Sequence, residues 1–172
     1  VEEFRMVLES RPDRTGIRYY LALSLGELER TNEAILELKK IVQQAPKNLN
    51  AFFYLGFLYS KSDRDDDAIA VYEEVLTFEK EKPEVYSYLS TIYIHKKDYV
   101  KAEKILKDAI PRFENNEDLN FNLAIVYEKA KMYKRVSLAI SNLSLLLTLS
   151  SSAKFKFKMV ESILDKLVVP DG

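Results

Sequence analysis

With 172 residues, of which 47% are apolar and 31% charged, the chain has the length and composition of a folded protein with a substantial core. Its 26 basic and 27 acidic residues leave a formal net charge of -1, so no surplus of either sign asks for nucleic acid or another polyanion. Cysteine is absent and histidine occurs once, which excludes disulfides, thiolate metal sites and a cysteine nucleophile while leaving the cellular compartment open.

In chain order, Val1 to Glu9 places Phe4 and Val7 on one helical face, and Pro12 follows it just as Pro46 follows a later helical stretch. Residues 1–14 therefore occupy the register of the second helix of a hairpin whose first helix is missing. A solenoid end needs a capping surface, so the chain is expected to be a segment of a longer array, and a missing targeting sequence says nothing. Residues 15–48 read as two helices, near 17–28 and 33–44, with Thr31 or Asn32 placed to cap the second.

Residues 49–82 carry the clearest pattern. Phe52, Leu55, Gly56 and Tyr59 recur at three- and four-residue steps in one half, and Ala68, Tyr72 and Val75 do so in the other, with an acidic turn from Asp63 to Asp67 between them. Gly56 and Ala68 are small where the two helices must approach. Further units occupy 83–116 and, in divergent form, 117–150, with Pro83 suited to a first helical turn and Asn48 and Asn116 placed as caps.

These units are copies. One constant step forward from Leu55, Tyr59, Ala68 and Val75 gives Leu89, Tyr93, Ala102 and Ala109, and a second gives Leu123, Tyr127, Val136 and Leu143. The same step back from Leu55, Gly56, Ala68, Tyr72 and Val75 gives Leu21, Ala22, Ala34, Leu38 and Ile41, and it also carries Pro46 to Pro12. A gapless period of 34 with this pattern resembles the tetratricopeptide repeat family. The fourth unit departs furthest, with Asn120 in place of the first aromatic and Val136 in place of the small residue. The resemblance implies an all-α, right-handed superhelical solenoid of antiparallel helix pairs, acting as a non-enzymatic scaffold without a cofactor.

Motifs for chemistry are few. Asp63-Arg64-Asp65-Asp66-Asp67 with Glu74 spaces oxygen ligands like a calcium loop, but Ala68 stands where the loop needs glycine, so a solvated helix start is the expectation. His95 is the sole histidine and has no partner for a transition-metal site, and no glycine-rich nucleotide-binding string is present. No catalytic, metal or cofactor residues are assigned.

Function is then expected on the concave side. The resemblance implies that the first helix of each unit lines a groove through Tyr19, Leu23 and Glu27, through Asn50, Phe53, Phe57 and Lys61, through Ser87, Thr91 and His95, and through Phe121, Ile125 and Lys129. Phe52, Leu55, Tyr59 and their equivalents already fill the core, so the apolar groove residues are left over. They predict a protein or peptide partner with apolar anchors. In the competing reading one aromatic per unit packs against the preceding unit. Family members that clamp an acidic chain terminus use lysines and asparagines at these places; the aromatics here argue against that partner.

From Val136 to Ala153 the chain is uncharged, and Leu145, Leu146, Leu147 and Leu149 exceed what the repeat needs. Interrupting serines and a threonine argue against a membrane span. In residues 151–172, Phe155, Met159, Ile163 and Leu167 form the stripe of a capping helix. If the leucines stay uncovered, they or the incomplete first unit would instead join copies into a homo-oligomer.

Overall fold

The computed structural model describes residues 1–113 and 116–131, and every regular element among them is helical. Seven helices run α1 Glu2–Ser10, α2 Thr15–Glu27, α3 Thr31–Gln44, α4 Leu49–Lys61, α5 Asp65–Phe78, α6 Pro83–His95 and α7 Tyr99–Ala109. Residues 117–131 are helical as well. The chain divides into two units, Val1–Asn122 and Leu123–Gly172. Of the second unit, residues 123–131 are described; they are helical, with Val126 buried. The leucines from Leu145 to Leu149 and the capping stripe lie outside the described residues.

Within the first unit, α2 packs on α3, α4 on α5 and α6 on α7. Each hairpin is joined to the next through α3 on α4 and α5 on α6, and α1 lies on α2. The result is a solenoid of antiparallel helix pairs, with a core that repeats with the sequence. Leu21, Leu55 and Leu89 are buried, as are Ala34, Ala68 and Ala102, and so are Leu38, Tyr72 and Leu106. Each helix is amphipathic and buries one face against its sequence neighbours, which is how short helices become stable in water.

The helix ends follow from local chemistry. Asn48 Oδ1 accepts the Ala51 N–H at 3.1 Å, and Asn116 Oδ1 accepts that of Leu119 at 3.0 Å. Asp98 caps α7 in the same manner, through the Lys101 N–H. Pro83 occupies the first turn of α6, where a missing N–H costs nothing. Thr31 and Asn32 do not cap α3: its N-cap is Arg30, with no side-chain hydrogen bond, and Arg30 instead reaches Glu33 in the first turn. The acidic stretch is likewise mostly helix. Asp65, Asp66 and Asp67 form the first turn of α5, where carboxylates meet the positive end of the helix dipole.

The turn inside each hairpin uses one device three times. Glu29, Asp63 and Lys97, at the same place in successive units, adopt left-handed backbone conformations with φ of 59°, 56° and 60°. The following N–H then closes back on the helix, Arg30 to Leu25 O at 2.8 Å, Arg64 to Tyr59 O at 2.9 Å and Asp98 to Tyr93 O at 2.8 Å. None of the three is glycine, so each carries the steric cost of its Cβ.

Among the described residues, the most deeply placed ion pair is that of buried Arg18 with half-buried Glu37. Arg18 donates to Glu37 Oε2 at 2.5 Å and to the Pro12 carbonyl at 2.8 Å, tying α2 to α3 and to the turn after α1. Burial acts to raise the Glu37 carboxyl, but hydrogen bonds from Lys40 and Arg18 outweigh it and hold the group below the usual 4.5. A depressed folded-state value means that the stabilisation is present above the unfolded pKa and is lost as the pH falls through the folded one.

Two outcomes follow. Lys97→Gly should raise the stability measured by urea denaturation by about 0.5 to 1 kcal/mol, because glycine takes the left-handed turn without strain. Glu37→Gln should cost about 2 kcal/mol at neutral pH, and urea midpoints at pH 7 and pH 3 should differ less for this variant than for the wild type.

Candidate functional site

The first helices α2, α4 and α6 present their groove-facing positions to a common pocket of about 440 Å³. Tyr19, Asn50, Phe53, Phe57 and Thr91 line it, five of the residues that the repeat register predicts. Ser60 and Ile92 complete the polar and aliphatic parts of the wall, and Tyr54, Tyr72 and Tyr88 add three further rings. No charged side chain is in the lining.

The rings form two connected groups. Tyr54 meets Tyr19 edge-on at 6.3 Å between centroids and stacks on Phe57 at 6.0 Å. On the other side, Tyr72 stacks on Tyr88 at 5.2 Å, and Phe53 meets Tyr88 at 5.9 Å and Tyr72 at 6.5 Å. Such offset and edge contacts add to the stabilisation that burial provides. Phe57 keeps 52% of its surface exposed, whereas Phe53 is half-buried.

Small residues let these rings in. A Cβ on Gly56 would stand 2.5 Å from Cζ of Tyr72, so glycine there is what allows the α5 tyrosine to pass α4. Its hydroxyl then donates to the Phe53 carbonyl at 3.4 Å. A Cβ on Gly26 would collide with the Tyr54 hydroxyl, so α4 leans its ring on α2 at a second bare position. Burial, with Tyr88 nearby, pushes the Tyr72 hydroxyl far above its usual value. Burial likewise raises Tyr19, beside Tyr20, and raises Tyr54, beside Glu27 and Tyr19. These phenols therefore stay neutral hydrogen-bond donors throughout the physiological range.

The remaining predicted residues lie around this pocket or apart from it. Leu23 is half-buried, while Glu27 and Lys61 are exposed at the ends of α2 and α4. Ser87 is tied into a polar seam, where Asn122 Nδ2 donates to Ser87 O and Oγ, to Ser90 Oγ at 3.0 Å and to Thr91 Oγ1 at 3.3 Å. The His95 ring pairs with Asp65 at 2.8 Å, and Lys96 beside it pairs with Asp66 at 2.9 Å, so that α6 is pinned to the start of α5. Phe121 is 67% exposed. Ile125 and Lys129 belong to the second unit, one half-buried and one exposed.

Three wall tyrosines escaped the sequence reading. Tyr72 is a core position whose ring is long enough to reach the pocket past Gly56. Tyr54 and Tyr88 share a register position with Tyr20, and that recurrence from unit to unit is the signal the sequence offers for them.

Comparison with known proteins bears on this arrangement. A tetratricopeptide repeat model matches residues 27–92 and again 66–120, which together span more than half of the chain. The chain belongs to the tetratricopeptide repeat family. No curated protein matches its sequence. Among solved structures, MamA superposes with a TM-score of 0.65 at 17% identity, covering 95% of this chain and 78% of its own. A thermophilic TPR protein from Thermus thermophilus gives 0.60 at 20% identity over 73% of this chain and 70% of its own. YrrB, described as a TPR protein with an unusual peptide-binding site, gives 0.60 at 15% identity over 95% and 82%. At these identities the likeness is one of fold, and it agrees with the tetratricopeptide solenoid seen here.

Because the Tyr72 ring is held between Phe53 and Tyr88, it cannot yield to a methyl group at position 56. Gly56→Ala should therefore lower stability by about 1 to 2 kcal/mol in chemical denaturation, despite the better helix propensity of alanine.

Proposed function

We propose that this tetratricopeptide repeat chain is a non-enzymatic scaffold that holds a segment of a partner protein in the groove along α2, α4 and α6. The partner segment places apolar anchors against Tyr19, Phe53 and Phe57. What carries the reading is the exposure of Phe57 in a ring-lined pocket without charged walls, at positions that the hairpin core does not use. Apolar surface that a folded chain leaves open inside a concavity is where partners bind. Leu23, Phe121 and Thr91 extend the same face, and Glu27, Asn50 and Lys61 supply a polar rim. YrrB offers a parallel, since a protein of similar fold is described as having a peptide-binding site. No helix among the described residues is long and apolar enough to cross a membrane.

The groove is tested with Phe53→Ala plus Phe57→Ala. The double variant should keep a cooperative thermal transition and lose the partners that the wild type captures in a pulldown. Phe57→Ala alone, which alters an exposed ring, should weaken capture with its melting temperature within about 3 °C of wild type. Undiminished capture by both variants would exclude the groove.

A further inference from the structure

Three observations bear on what kind of side chain the pocket accepts. Its wall holds six aromatic rings and no lysine or arginine, so a carboxylate entering it would find no counter-charge. The charges at the helix ends beside it have both signs: Lys61 follows the wall residue Ser60 at the end of α4, while Glu27 acts on the Tyr54 hydroxyl from the carboxyl end of α2. That helix end also carries the negative pole of the backbone dipole. Finally, the groove-facing positions of the first unit lean acidic. Asn50 lines the pocket, and its equivalents in the next two repeats are Glu84 and Asp118, both exposed. In the register of Glu27 stand Lys61 and His95, and His95 is already engaged with Asp65.

We infer that the pocket takes a basic side chain, arginine or lysine, from the partner segment, with its methylene stem against the rings and its charged head on the Glu27 side. The inference rests on the groove reading and makes it more specific. A basic side chain satisfies both properties of the site. Its stem is as apolar as that of a norleucine, so it buries against Phe53 and Phe57 as an apolar anchor does. Its head is drawn to the negative faces of the rings, an attraction that grows as water is removed. A glutamate, with a shorter stem and a negative head, has neither advantage here. A neutral anchor has the first and lacks the second.

The tyrosines favour this assignment further. Burial, together with Glu27 and Tyr19, keeps Tyr54 protonated, and burial does the same for Tyr19 and Tyr72. A cation brought by the partner would meet no lysine or arginine in the pocket wall itself, with Lys61 out on the rim beyond Ser60.

The test uses random dodecapeptides displayed on phage, selected on the wild-type chain and counter-selected on Phe57→Ala. Peptides that prefer the wild type should share an arginine or lysine. In synthetic copies, exchange of that residue for norleucine should weaken binding about three- to thirtyfold by calorimetry. Glu27→Gln, exposed and remote from the core, should shrink that difference. If the selected peptides carry an uncharged anchor, or bind equally well with norleucine, the basic anchor is wrong and the groove stands. If no peptide prefers the wild type over Phe57→Ala, both fall.

Discussion

Two helices can lie side by side at close range only where a side chain is nearly absent, and the rest of this molecule depends on that constraint. Ala34, Ala68 and Ala102 sit fully buried at one place in successive second helices, and Ala22, Gly56 and Ser90 are buried at one place in the first helices. Close approach turns each hairpin into a tight pair with two outward faces. Those faces are covered by the neighbouring hairpins, α3 on α4 and α5 on α6. Stability in such an array is a sum of pair and neighbour contributions rather than the property of one central core. Polar contacts such as Arg18 with Glu37 and Asn122 with the α6 hydroxyls then fix register between elements that hydrophobic packing alone would allow to slide.

The pocket is a by-product of the same constraint. Because Gly56 is bare, Tyr72 extends past the helix interface and brings a second-helix ring to a surface otherwise made by first helices. Because Gly26 is bare, Tyr54 leans back on α2 and meets Tyr19. Tyr88 follows the same backward lean and stacks on Tyr72. The rings that pack against the preceding unit are Tyr54 and Tyr88, whereas the rings expected to face a groove are Tyr19, Phe53 and Phe57, which share a pocket with them. Tyr54 and Tyr88, at the sixth position of α4 and α6, lean back, Tyr54 onto Tyr19 with Phe57 stacked on it and Tyr88 onto Phe53. That leaves Phe57 the most open ring of the pocket.

What can be read in the sequence is whatever repeats with a residue-type signal. The repeat period, the buried leucines and alanines, and the caps at Asn48 and Asn116 are legible because each depends on side chains of a particular size or chemistry. The left-handed turns at Glu29, Asp63 and Lys97 are not, since none is a glycine and three different side chains share one backbone conformation set by the hairpin geometry. The early start of α5 is hidden for a related reason: three successive aspartates read as a turn in isolation, but the helix dipole and pairing of Arg64, His95 and Lys96 with them favour a first turn. Of the candidate site, the fifth and ninth positions emerge from the repeat register. The tyrosine wall does not, because Tyr72 also fits the core pattern and the recurrence of Tyr20, Tyr54 and Tyr88 carries no sign of which surface their rings reach.

The central claim is that rings at the groove positions face open solvent while their chain neighbours are sealed in the hairpin core. Solvent paramagnetic relaxation of the aromatic ring protons in the whole chain reads this directly. Phe57 should relax strongly and Phe53 moderately, while Phe52, 1% exposed, should be nearly untouched. Protection of Phe57 equal to that of Phe52 would mean that the groove is filled by the chain itself and would contradict the account.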